Sequence, residues 1–270
     1  MTPLHARLPA VPWTDAHTRR MPGAMPLAMD DWLRVDEAYG AQMALRDDLI
    51  ATRLAEVHAV LPQAQAAADE LYAMVLPRLA SLGFGLAGPA PGTRALRPDG
   101  VTVDLDPAAP LVTLGRLLQN DFCLMQPDGR GPSGGEHLLT AAILCFPAGW
   151  RLDEKLGRPM MRIHAPVPKY DEGVGRRVQR LMDAIRPETP LWRMNAHHSR
   201  APLFNPLSEA APKDIDTGAM PWIRSERQCL VRLPQTGAVV FSIHTYVVRV
   251  EDLTAEQAAA LALHPIHRSA

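Results

Sequence analysis

The stretch 238–250, AVVFSIHTYVVRV, constrains the fold of this chain more than any other. Its β-branched side chains suit a pleated strand and crowd a helix, so a long strand is expected here. Before it, PQTG at 234–237 has turn chemistry and residues 229–233 read as a strand, which together predict a hairpin. A second hairpin is expected earlier. Residues 122–125 and the continuous apolar run LLTAAILCF at 138–146 flank the glycine-rich QPDGRGPSGGE. An uninterrupted apolar run suits a strand covered on both faces. One more strand starts at Leu191 and continues through Asn195.

The helices are legible from spacing and caps. Asp30 or Asp31 is positioned to cap a helix through WLRVDEAYGAQMALRDDLIATRLAEV, with Trp32, Val35, Tyr39, Met43, Leu49 and Ile50 inward. Pro62 marks a break or a first helical position. The next helix, QAQAAADELYAMVLPRLASL, should stop at Gly83 and be kinked or divided by Pro77. Residues 84–110 read as a loop with a short hairpin, and 111–120 as a short helix. In GVGRRVQRLMDAI, Val174, Val178, Leu181, Met182 and Ile185 form an inner face, and Arg176, Arg177 and Arg180 lie outside. Asp252 or Thr254 caps a last helix, TAEQAAALALH. Residues 1–29 show no period and read either as an arm packed over the domain, with Trp13 and Leu27 as anchors, or as a disordered tail.

Two helices, a hairpin, a helical middle and three strands give an α+β fold. The expected form is a five-stranded antiparallel sheet with helices on one face, the order of elements in PAS domains. Residues 1–110 would be an arm and helical extension, and 111–270 a single compact core. With 47% hydrophobic residues the chain has material for a real core, and its net charge of −1 gives no sign of nucleic-acid binding. Three scattered cysteines, Cys123, Cys145 and Cys229, make neither a disulfide framework nor the four thiolates of an ordinary iron–sulfur cluster. A reducing cytoplasm is the expected compartment. The N-terminus lacks the apolar core of a signal peptide, and no window reaches the roughly 18 apolar residues of a membrane span.

The chemistry concentrates in CFPAGWRLDEKLGRPMMRIHAPVPKY at 145–170. His164 precedes a proline-stiffened Ala-Pro-Val-Pro, beside Met160, Met161, Ile163 and Val167. Lys155, Arg158, Arg162 and Lys169 surround it. One reading is a haem site, with an axial imidazole, apolar walls, and Lys155, Arg162 and Lys169 facing the propionates. The other is a core-edge histidine bonded to backbone. Cys145 reads as a thiolate ligand or as a buried inert thiol.

Arg224-Ser225-Glu226-Arg227-Gln228 is the second constellation. Alternation puts Arg224, Glu226 and Gln228 on one strand face, Ser225 and Arg227 on the other. It reads either as a solvated salt bridge or as a polar crown over a buried ligand, with Arg193 and Asn195 joining from the neighbouring strand. His244 and Tyr246 share a face of the last strand. His197 and His198, being adjacent, should point to opposite sides. GRGPSGG lacks the lysine and helix of a phosphate loop, and no dinucleotide fingerprint occurs, so no built-in reductase is expected.

Taken together, QNDFCLM at 119–125, the segment 145–170, WRMN at 192–195, ERQCLVRLP at 226–234 and FSIHTY at 241–246 resemble the haem-dependent oxidative N-demethylase α-subunit family. The likeness runs from about residue 20 to residue 262. It implies a PAS-type fold binding haem b and demethylation of a secondary amine such as dimethylamine, using O2 and NADPH. Electrons would come from a separate flavin and iron–sulfur partner. The resemblance favours His164 as the iron ligand. Glu226 would hold the substrate ammonium with Arg193, Asn195 and Tyr246 around it, and Arg224 or Arg227 would stabilise charge on reduced oxygen. Two positions depart from the family's pattern, Asn120 and Ala196. The alternatives from other classes are a haem-PAS gas or redox sensor and a small-molecule-binding protein without turnover.

Overall fold

A computed structural model describes residues 4–19, 23–87, 92–129, 135–167, 170–210 and 220–268. Its strands are β1 (Met25–Pro26), β2 (His58–Val60), β3 (Gly85–Ala87), β4 (Arg94–Leu96), β5 (Thr102–Asp104), β6 (Asp121–Pro127), β7 (His137–Ile143), β8 (Leu191–Ser199), β9 (Trp222–Arg232), β10 (Val239–Arg249) and β11 (His267–Arg268). The α-helices are α1 (Tyr39–Thr52), α2 (Leu54–Val57), α3 (Gln65–Val75), α4 (Pro110–Leu117), α5 (Leu152–Lys155), α6 (Met160–Ile163), α7 (Glu172–Ala184) and α8 (Ala255–Leu263).

The five expected long strands are all present, as β6 to β10, and both expected hairpins form. The sheet they build is wider than five strands. Its order is β1-β8-β9-β10-β6-β7-β2, antiparallel at each step, and β11 runs parallel beside β8. Short edge strands from the N-terminal half and the C-terminus cap both edges, which shields backbone groups that would otherwise stay unpaired. Strands β3, β4 and β5 form a separate antiparallel meander where a short hairpin was expected.

Helices cover both faces, not one. Along β6, Phe122 and Leu124 join a cluster with Met43, Leu49, Leu71, Val75 and Leu114 of α1, α3 and α4. Cys123 and Met125, pointing the other way, join Met182 of α7, with Met160, Ile163, Val178 and Leu181 packed against them. The physical reason lies in the strands themselves. A run apolar on both faces, such as 138–146, needs two covering layers.

Several boundaries moved. The first helix begins at Tyr39, because Asp36 accepts the backbone N–H of Ala38 at 3.0 Å and residues 29–31 form only a 3-10 turn. Pro77 divides the second helix as expected: α3 ends at Val75, two 3-10 turns follow, and Gly83 stops them at φ +85°. β9 starts at Trp222, well before the expected 229, so Arg224 to Gln228 lie inside the strand. Trp13 and Leu27 are buried and anchor the N-terminal arm, Trp13 in a cluster with Leu8, Met194, Ile223, Tyr246 and Val248. Among the described residues no helix is long and apolar enough to cross a membrane.

Candidate functional site

Strand register assembles a polar patch on the sheet face covered by α6 and α7. Arg193 stands opposite Gln228, Asn195 opposite Glu226, and His197 opposite Arg224. From β10, Ile243 pairs with Gln228 and Thr245 with Glu226. Directly opposed residues share a face, so these side chains converge. Glu226 is the centre. Arg224 Nε donates to its Oε1 at 2.9 Å, while Gln228 Nε2 at 2.9 Å and Asn195 Nδ2 at 3.2 Å donate to Oε2. Arg193 donates to the Gln228 carbonyl at 2.6 Å. Burial alone would raise the Glu226 carboxyl, but the Arg224 and His197 charges and the hydrogen bonds from Gln228 and Arg224 hold it below the usual carboxylate range. The patch therefore carries a fixed, buried anion.

Arg224 is itself closed in. It donates to the carbonyls of Leu203, at 2.8 Å, and Phe146, and reaches Thr245 at 3.4 Å. Those bonds fix Arg224 beneath Glu226 as counter-ion.

Opposite the patch lies the turn that carries His164. Pro159 precedes α6, a single turn that ends as His164 closes back on it. The His164 backbone N–H donates to Met160 O at 3.1 Å, and Nδ1 lies 3.0 Å from the same carbonyl. A carbonyl only accepts, so Nδ1 carries the proton and Nε2 keeps its lone pair. Among the described residues nothing bonds to Nε2. The imidazole stacks on Tyr170 with centroids 4.2 Å apart and planes 16° apart. Burial lowers the His164 pKa, and the nearby Lys155 and Arg193 charges lower it further against the Met160 bond. A neutral imidazole with Nδ1–H on a backbone carbonyl and Nε2 open is the form in which histidine ligates metals. Met160 and Ile163 of the same turn pack against the apolar cluster that includes Phe241 and Ile243 of β10. The open Nε2 is a donor that suits a haem iron.

A family model for "Haem-dependent oxidative N-demethylase, alpha subunit-like" matches residues 23–270. The chain belongs to this family. The family is described as haem-dependent, and its α-subunit designation describes one chain of a larger enzyme.

Within this N-demethylase-like chain the expected site residues divide. Glu226, Arg224, Arg193 and Asn195 come together, with His164 across from them. Arg227 and Tyr246, expected beside Glu226, lie on the opposite face, because side chains alternate along a strand. Arg227 donates to Trp32 O and Asp31 Oδ2, each at 3.0 Å, and sits over Trp192. Tyr246 packs on His5 and His244, in the cluster under the N-terminal arm. Neither reaches the patch. Lys155 and Arg162 are both engaged by Glu209: Arg162 at 2.8 Å, and Lys155, itself buried, in direct contact. Lys155 also donates to Ile163 O at 2.8 Å. Bonds from Arg162 and Lys155 bring the Glu209 carboxyl down to about 2. Lys169 lies outside the described residues.

The Cys145 thiol is buried, and burial pushes it up to about 12, which suits an inert core side chain. His197 faces the patch and His198 the other side, so the adjacent pair does split. Gln228, His197, Glu209 and Tyr170 are contributors the site-residue reading did not assign. Gln228 was legible through alternation from Glu226, and His197 through alternation from Asn195. Glu209 and Tyr170 were not, since each meets its partner through loop geometry.

Proposed function

We propose that the chain is the haem b-binding subunit of an oxidative N-demethylase acting on a small secondary amine such as dimethylamine. O2 would be the oxidant, with NADPH electrons delivered by a separate flavin and iron–sulfur reductase. The observations that carry this reading are a neutral, Nε2-open His164 and a buried, ionised Glu226 in the polar patch that reaches His164 through Arg193. When bound, the haem would supply the oxidation: with O2, NADPH and a proton, dimethylamine yields methylamine, formaldehyde, NADP+ and water. The chain's residues do the rest. His164 holds the iron through Nε2. Glu226 attracts the cationic amine, and Asn195 and Gln228 hold its carboxylate in place. Arg224 keeps that carboxylate ionised and, with Arg193, places positive charge where a reduced oxygen species would be stabilised. The apolar side chains Met160, Ile163, Phe241 and Ile243 exclude water.

A PAS-like core is part of the proposal. Its support is the order of elements, a hairpin, a helical insert and three further strands, which closes into one antiparallel sheet.

The test is an absorption titration of haem-supplied protein with dimethylamine, followed by formaldehyde assay after reduction in the presence of O2. An amine-dependent shift of the Soret band with formaldehyde release is expected. Glu226 already accepts three hydrogen bonds, which favours, as a second reading, ligand binding without turnover. A spectral shift with no formaldehyde would select that reading.

A further inference from the structure

We propose that Tyr170 is a positioning residue that sets the plane of the His164 imidazole, and so the direction in which Nε2 is presented. The proposal rests on His164 being the iron ligand. The Nδ1 bond to Met160 O at 3.0 Å sets the tautomer and restrains the ring at one edge. A flat surface parallel to the ring restrains its plane across the whole face. Tyr170 supplies it, stacked 4.2 Å away and within 16° of parallel.

The tyrosine reaches this place through two short backbone steps. Val167 N–H donates to His164 O at 2.8 Å, and Tyr170 N–H donates to Val167 O at 2.9 Å. The next residue, Asp171, caps α7 by accepting from Val174 N–H at 2.7 Å. Histidine and tyrosine thus sit at the end of α6 and the start of α7, and those helices pack closely. Gly175 of α7 lies so close to the Met161 sulfur that even a Cβ at Gly175 would collide with it. The two rings therefore sit at one closely packed corner.

The hydroxyl is not what keeps the tyrosine there. Tyr170 is 7% exposed, and its hydroxyl is buried with no partner among the described residues. A buried hydroxyl left unbonded costs stability, so the contribution of this side chain comes from its ring face.

The test compares Tyr170→Phe and Tyr170→Leu in the full, haem-loaded chain, with folding checked by far-UV circular dichroism. Tyr170→Met replaces Leu should the latter not fold. Two quantities are read: the rate of haem loss to excess apomyoglobin, and the ferric electron paramagnetic resonance spectrum. Tyr170→Phe should match wild type in both. Tyr170→Leu should lose haem roughly ten- to a hundredfold faster, the range for removing a group that orients a metal-bound histidine, with a broadened ferric signal. His164→Ala runs alongside. Haem lost from His164→Ala but held normally by the Leu or Met variant overturns the role of Tyr170 alone. A Phe variant as impaired as Leu overturns it too, by moving the role to the hydroxyl. Full haem with an unchanged spectrum in His164→Ala brings down the ligand assignment and this inference together.

Discussion

Arg46 of α1 and Asp121 of β6 meet at 2.7 Å with both side chains closed off from solvent. Asp121 also accepts the N–H groups of Cys145 and Phe146, at 2.7 and 2.9 Å. Arg46 donates in addition to the carbonyls of Gly115, Gln119 and Asn120. One buried pair thus joins the first helix, the end of α4, the first central strand and the exit of β7. The carbonyl of Phe146 then holds Arg224, so the same stitch reaches the candidate site.

Breaking that pair should be costly. Removing one member strands the other as a buried charge, a loss of about 3–5 kcal/mol. Arg46→Met is expected to lower the urea midpoint accordingly. The double variant Arg46→Met with Asp121→Leu should lose less than the sum of the single changes, because no lone charge remains. Strict additivity across that cycle would show that the two side chains do not act as a unit.

His164→Ala should abolish haem binding while the far-UV circular dichroism stays that of the wild type. His164 is half-buried at the end of a short turn, and its ring bonds only one backbone carbonyl, so the fold does not depend on it. Pyridine haemochromogen content of the purified variant measures the outcome. Unchanged haem content would remove His164 as the ligand.

Glu226→Gln keeps the shape of the side chain and removes its charge. Charge-assisted hydrogen bonds to a cationic ligand are worth about 1.5–3 kcal/mol, so dimethylamine should bind roughly ten- to a hundredfold more weakly with near-normal haem content. Titrating both proteins and following the Soret band gives the two affinities. Equal affinities would place the amine elsewhere.

The face under the N-terminal arm should govern acid stability. Asp36 Oδ2 accepts from His5 and His244 Nε2 at 2.9 and 2.8 Å, and Gln119 donates to Oδ1 at 2.8 Å. Burial raises the Asp36 carboxyl, but these partners outweigh it and hold the group far below the ordinary carboxylate range. A depressed carboxyl stabilises the fold above its unfolded pKa, about 4, and loses that contribution as pH falls below it. His244 is lowered chiefly by burial, so it resists a proton that the unfolded chain accepts, and stability should also decline below about pH 6.5. Urea midpoints at pH 7, 5 and 3 check both steps. The gap between wild type and Asp36→Asn should be constant above about pH 5 and narrow towards pH 3. A gap that stays constant down to pH 3 would mean that the charge on Asp36 contributes nothing.

By itself the sequence determined the five long strands, both hairpins, α7 and its buried face, and the segment that carries His164. Each is a local pattern: β-branched runs, a 3.6-residue period, or proline and glycine at fixed places. It also determined that Glu226 and Arg224 share a face, because alternation along a strand needs no partner. Tertiary structure alone decided what those faces meet. That α7 and the N-terminal helices take opposite sides of the sheet follows from how the strands stack, and so do the edge strands drawn from residues 25–26 and 58–60. Arg227 and Tyr246 fell to the arm side because the site lies on one face only, and no single strand says which face the loop 145–170 will cover. Glu209 on Lys155 and Tyr170 on His164 are loop contacts, set by turns and by the close approach at Gly175. Such contacts have no period for a sequence to display, because they depend on where two chain segments end in space.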